Sequence, residues 1–129
     1  MNSGRTLAIA GLLLALATAC GAFGAHAWRG HLAPERLQLW DTAVRYQFFQ
    51  SLGLVGVGLA LRSIDTRMLR AAAALIAAGV VLFCGSLYGL SLGAPRLVGV
   101  LTPLGGLAWI GGWLLFAWGA WRHEARIAT

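Results

Sequence analysis

Residues 71–95 read AAAALIAAGVVLFCGSLYGLSLGAP, a run without a charge between Arg70 and Arg96. An α-helix rises 1.5 Å per residue and the hydrocarbon core of a bilayer is about 30 Å thick, so about 20 apolar residues cross it. This run exceeds that length. Working outward, three further charge-free runs appear: Thr6 to Trp28, Tyr46 to Leu61, and Leu97 to Trp121. The first and last are long enough to span. The second is short, but its N-terminal flank continues it as helix. Pro34 suits a first-turn position, and Glu35, Arg36, Gln38 and Asp41 are interspersed with Leu37, Leu39 and Trp40.

Composition agrees. The 129 residues are 59% hydrophobic and 11% charged, with a mean hydropathy of +0.75. An ordinary soluble domain is about 25% charged, and a chain this small exposes much of its surface. A soluble enzyme is therefore excluded, and so is a disordered chain, which needs low hydrophobicity. The spans are joined by short segments, Arg62 to Arg70 and Gly93-Ala94-Pro95-Arg96, which makes neighbours antiparallel. The expected fold is all-α, an integral membrane four-helix antiparallel bundle. It forms one domain over 1–129, with helices at about 6–28, 34–61, 71–93 and 98–121.

The net charge of +6 comes from ten Arg and four acids. The Arg residues lie between apolar runs rather than in a patch, so nucleic acid is not an expected partner. Membrane lipids are, at the headgroups. If the N-terminus is cytoplasmic, Arg5, Arg62, Arg67, Arg70, Arg122 and Arg126 share its side, against Arg29, Arg36, Arg45 and Arg96 opposite. The inside-positive bias then puts both termini in the cytoplasm. Ala17-Thr18-Ala19-Cys20 imitates a lipoprotein cleavage site, but the apolar run continues through Trp28, so it reads as a span. Cys20 and Cys84 each sit in an apolar run, and no disulfide framework is implied.

Between helices in lipid, association rests on close packing of small residues. Gly85, Gly89 and Gly93 recur every four residues on the third helix. Gly105, Ala108, Gly112 and Gly119 line the fourth, and Gly11, Ala15, Thr18 and Ala22 the first. These stripes are expected to pack helices within the chain, ahead of a homo-oligomer seam. Trp28, Trp40, Trp118 and Trp121 lie near helix ends, as headgroup-level anchors do.

The polar residues inside the spans are few: His26, Tyr46, Gln47, Gln50, Ser51, Ser86, Tyr88, Ser91 and Thr102. Such groups must pair or line a cavity. His26, Tyr46, Gln47 and Gln50 are expected to cluster at the outer end, as a structural network or a ligand site. No metal-ligand spacing, nucleotide motif or nucleophile elbow is present, so neither metal, cofactor nor catalytic residue is expected. No acid lies in mid-membrane, which weighs against a proton-coupled antiporter.

Four blocks resemble a known family. Gly21-Ala-Phe-Gly-Ala-His26, Tyr46-Gln47 with Gln50, Leu82-Phe-Cys-Gly-Ser-Leu-Tyr88, and Thr102-Pro-Leu-Gly-Gly106 with Gly112-Trp113 are similar, in order, to motifs of the domain of unknown function 423 family. That family comprises YgdD/YwdK-like inner-membrane proteins and transmembrane protein 256-like proteins. The resemblance implies a four-helix inner-membrane protein and brings no activity with it. It also marks His26, Tyr46, Gln47, Ser86, Tyr88 and Thr102 as shared polar positions. The family usually has His where this chain has Gln50, and Gln can replace a hydrogen-bonding His but not a proton carrier. The expected function is non-enzymatic binding of a lipid or another membrane protein. The alternatives are a quinone-like headgroup held between His26 and Tyr46, as in a redox accessory protein, and then a small transporter.

Overall fold

The computed structural model describes residues 1–128. The side chain of Arg126, one of the cations counted for orientation, lies outside the described residues. Four helices follow one another: α1 (Ser3–His26), α2 (Pro34–Ala60), α3 (Arg67–Ser91) and α4 (Leu101–Ile127), the last entered through a 3-10 turn at Arg96–Val100. The described residues contain no strand.

Local chemistry sets the ends. The Asn2 side chain accepts a hydrogen bond from the Arg5 amide at 2.9 Å, so α1 begins at Ser3 rather than near residue 6. The Thr66 hydroxyl caps the Leu69 amide, which starts α3 four residues before the charge-free run. Arg70 forms a two-pronged ion pair with Asp65 in the loop before it and holds that carboxyl below its usual range. At the other end of α3, Gly93 takes φ +99°. The Gly93 amide then bonds to Leu90 and the Ala94 amide to Gly89, closing the helix with a left-handed cap.

Each helix packs on the next: α1 on α2, α2 on α3, α3 on α4, while α1 barely touches α3. The neighbours are antiparallel. Gly21 faces Val44 and Gly58 faces Leu7, and likewise Gly105 faces Phe83 and Gly119 faces Leu69. α1, α3 and α4 are each long and apolar enough to cross a membrane. α2 has 27 residues and runs between α1 and α3, antiparallel to both. Its outward face carries Gln38, Asp41 and Arg45 before turning apolar at Phe49, Leu52 and Leu59.

The tightest seam joins α3 and α4. A methyl group on Gly105 would lie 2.5 Å from the Phe83 amide nitrogen, one on Gly112 2.8 Å from Ile76, and one on Gly119 2.6 Å from Leu69. Trp109 and Phe116 alternate with these glycines. Trp109 lies over Gly79 of α3 and donates its indole N–H to the Ile76 carbonyl at 3.1 Å. The spacing of three then four residues is that of a coiled-coil seam. α1 buries Ala10, Ala17 and Gly24 on the same seven-residue period.

Two of the expected small-residue stripes are elsewhere. Gly85 has nothing within 4 Å of where a Cβ would be, Gly89 meets only the turn after α3 through Ala94 and Val98, and Gly93 is the helix stop. On α1, Gly11, Ala15, Thr18 and Ala22 face outward. The four-residue repeat of α3 drifts around a straight helix of 3.6 residues per turn, whereas the α1 set has seam spacing but stands on another face of the helix than the buried Ala10, Ala17 and Gly24. Trp40 also differs from its expected place at the headgroups. It is 6% exposed, and its indole N–H donates to the Cys20 carbonyl at 2.7 Å.

Candidate functional site

α2 turns Trp40, Ala43, Gln47, Ser51 and Leu54 to the interior. Gln47 is 1% exposed and uses both ends of its amide. The Nε2 donates to the Leu13 carbonyl of α1 at 2.8 Å, and the Oε1 accepts the Tyr88 hydroxyl of α3 at 2.8 Å. One side chain thus ties three helices together. Leu13 and Cys20 offer two α1 carbonyls seven residues apart, and Gln47 and Trp40 are two α2 donors seven residues apart. The Tyr88 ring rests on Trp40, centroids 4.6 Å apart.

Over this network, where α1 and α3 diverge, lies an open cavity of about 190 Å³. Leu13 and Leu16 form one wall, and Val80, Val81, Cys84 and Gly85 the other, with Gln47 and Tyr88 as its polar members. Leu16, Val81 and Gly85 also face outward, so the cavity opens toward lipid. The bare backbone at Gly85 keeps it open. Its chemistry is that of a binding cleft: apolar walls, one amide and one phenol whose oxygen can still accept. Among the described residues, no three His, Cys, Asp or Glu side chains come together to hold a metal.

The other expected site residues are distributed rather than gathered. Gln50 accepts the Trp113 indole N–H at 2.9 Å, linking α2 to α4. Ser86 and Thr102 share a hydrogen bond of 2.6 Å across the α3–α4 seam. Tyr46 turns to that same side, stacking on Trp109 at 5.9 Å and meeting Phe83 at 5.2 Å. His26 is exposed and borders a shallow surface hollow lined only by the end of α1 and Ala27. The register, with Gly21 at Val44 and Gly24 at Trp40, puts His26 about 10 Å further along the bundle than Tyr46. The cluster expected from His26, Tyr46, Gln47 and Gln50 is therefore not formed. His26 and Tyr46 do not share a site that could hold a quinone headgroup. The short first loop suggested equal depth, but α2 begins well outside it and brings Tyr46 inward by three turns.

Sequence reasoning did not single out the Leu13 and Cys20 carbonyls, or Trp40, Trp109 and Trp113 as hydrogen-bond donors. The signal available was the seven-residue spacing of Trp40 and Gln47 on one helix face. Ser51 Oγ and Trp28 Nε1 are buried with no hydrogen-bond partner among the described residues.

Comparison with known proteins covers most of the chain. The family described as "Protein of unknown function (DUF423)" matches residues 20–106. The UPF0382 membrane protein SH2409 of Staphylococcus haemolyticus is 42% identical over 74% of this chain and 77% of its own length. The UPF0382 membrane protein YwdK of Bacillus subtilis is 40% identical, over 84% and 89% respectively. The UPF0382 inner membrane protein YgdD of Escherichia coli is 34% identical, over 84% and 82%. No solved structure matches.

Proposed function

The chain belongs to the DUF423 family, and from that premise we propose that it is a multi-pass protein of the bacterial inner membrane that holds a lipid chain without transforming it. Its four helices act as one domain, and both termini lie on the cytoplasmic side, where the larger share of the Arg residues then falls. The observation that carries the reading is the cleft between α1 and α3. It opens to the bilayer between two helices that scarcely touch, and Gly85 leaves it unfilled. Apolar walls suit an acyl chain, while the Gln47–Tyr88 pair fixes the floor and gives the cleft its one polar point.

Native mass spectrometry of gently extracted protein tests this. The wild type is expected to carry a stoichiometric lipid, and Gly85→Leu, which fills the cleft, is expected to lose it with unchanged thermal stability. A wild type free of bound lipid, or a Gly85→Leu variant that keeps it, overturns the proposal. A co-purifying membrane protein released by Gly85→Leu would put a partner helix there instead.

A further inference from the structure

α2 has α1 on one side and α4 on the other: Gly21 of α1 faces Val44, and Trp113 of α4 lies over Gly53. Between these flanks, on the face opposite Gln47, one strip of α2 is uncovered among the described residues. It runs through Arg45, Phe49, Leu52, Gly56 and Leu59, in alternating steps of four and three residues that keep to one line along a helix. Phe49, Leu52 and Leu59 are 62%, 57% and 50% exposed, and a Cβ placed on Gly56 would meet nothing within 4 Å. Asp41 is exposed one turn before Arg45, at the edge of the same strip.

Those two charges stand where the neighbouring helices are apolar. Asp41 lies beside Gly24 of α1 and Val44 beside Gly21, eight residues before the first charge beyond that span, Arg29. Tyr46 stacks on Trp109 of α4, twelve residues past Leu97, where the charge-free run begins. Arg45 is therefore about 10 Å inside the level at which charge returns to α1. An ionised side chain at that depth is costly against lipid, and such groups turn to a partner or to water. Asp41 and Arg45, although four residues apart, form no ion pair with each other or with any other group among the described residues. Lipid is thus a poor cover for one end of the strip, and Phe49, Leu52 and Leu59 make water a poor cover for the other.

We propose that this strip is the interface with a second copy of the chain, α2 against α2 about a two-fold axis along the membrane normal. A second copy fits because the strip carries both signs. With both copies the same way up, Asp41 of each faces Arg45 of the other across one helical turn, about 5.4 Å, which the arginine stem spans. Two ion pairs then form together, away from lipid. Toward the other end Gly56 lets the two backbones approach, with Leu52 and Leu59 on either side. Gly112 stands in the same way between Trp109 and Phe116 in the α3–α4 seam. The interface is separate from the α1–α3 cleft and stands whether or not that cleft holds a lipid.

Full-length copies labelled at the C-terminus with a donor or an acceptor fluorophore are reconstituted together in phosphatidylcholine vesicles. Energy transfer is followed as lipid dilutes the protein, and for the wild type it is expected to persist. Asp41→Arg makes the strip wholly positive and Arg45→Asp wholly negative, so each alone is expected to lose self-association at least about tenfold. Mixed with each other, the two variants are expected to regain it, because a positive strip then faces a negative one. That recovery also requires both variants to be folded. Gly56→Leu, which meets nothing in its own chain, is expected to weaken association with unchanged thermal stability. Charge variants that self-associate like the wild type overturn the proposal, as does a mixture that associates no better than either variant alone. A Gly56→Leu variant that associates like the wild type also overturns it. So does a monomeric wild type, whether lipid headgroups answer the charges or another membrane protein covers the strip.

Discussion

The α3–α4 seam and the α1–α3 cleft are built from the same residue types and end in opposite states. In the seam, Gly105 brings two backbones so close that a methyl group has no place. In the cleft, Gly85 faces open space. Both glycines belong to small-residue patterns, and on composition they are equivalent. What separates them is register. Gly105, Gly112 and Gly119 repeat every seven residues and stay on the line of contact, with Trp109 and Phe116 filling between. Gly85 and Gly89 repeat every four and leave that line. A glycine in a membrane helix is thus either a contact or an opening, and whether it stands on the line of contact decides which.

That contrast can be broken at its strongest point. Gly105→Leu drives a side chain into the Phe83 amide and the Gly79 carbonyl, and is expected to destabilise the protein by about 3 kcal/mol, read as reversible unfolding in detergent. A loss below about 1 kcal/mol would show that the seam yields by sliding and that the close approach is not required. The next largest effect concerns the hydrogen bond in the floor of the cleft. A double-mutant cycle of Gln47→Leu and Tyr88→Phe is expected to give a coupling of about 0.6 kcal/mol, the usual worth of an interhelical hydrogen bond in lipid. Zero coupling would mean the two groups find other partners. The smallest expected effect on stability is that of Gly85→Leu, within about 0.5 kcal/mol, although it blocks the cleft. A large loss there would move Gly85 into the class of Gly105.

Much of the architecture was legible from the chain. The charge-free runs give α1, α3 and α4 because only a helix satisfies its own backbone in lipid. The Pro34 start of α2 follows from the missing proline N–H. The helix starts at Ser3 and Arg67 were harder, since a cap by Asn2 or Thr66 extends a helix past the hydrophobic boundary. The site was only half legible. Gln47 and Tyr88 each stood out as polar groups in a span, but 41 residues separate them, and no local pattern says which polar residues will meet. Trp40 looked like a surface anchor because tryptophans at helix ends generally are. Its burial depends on Gly24 of α1, which leaves room for the indole. Loop length alone puts His26 beside Tyr46, and the long outer part of α2 takes that proximity away.

The outward charges of α2 bear on how the protein enters the membrane at all. Gln38, Asp41 and Arg45 keep this helix from being apolar enough to rank with the other three as a span. Handed to the insertion machinery by itself, such a segment partitions poorly into lipid. α1 emerges first and carries the Leu13 and Cys20 carbonyls that the Gln47 amide and Trp40 indole need. A hairpin of α1 and α2 thus satisfies polar groups that α2 by itself would bring into lipid unpaired.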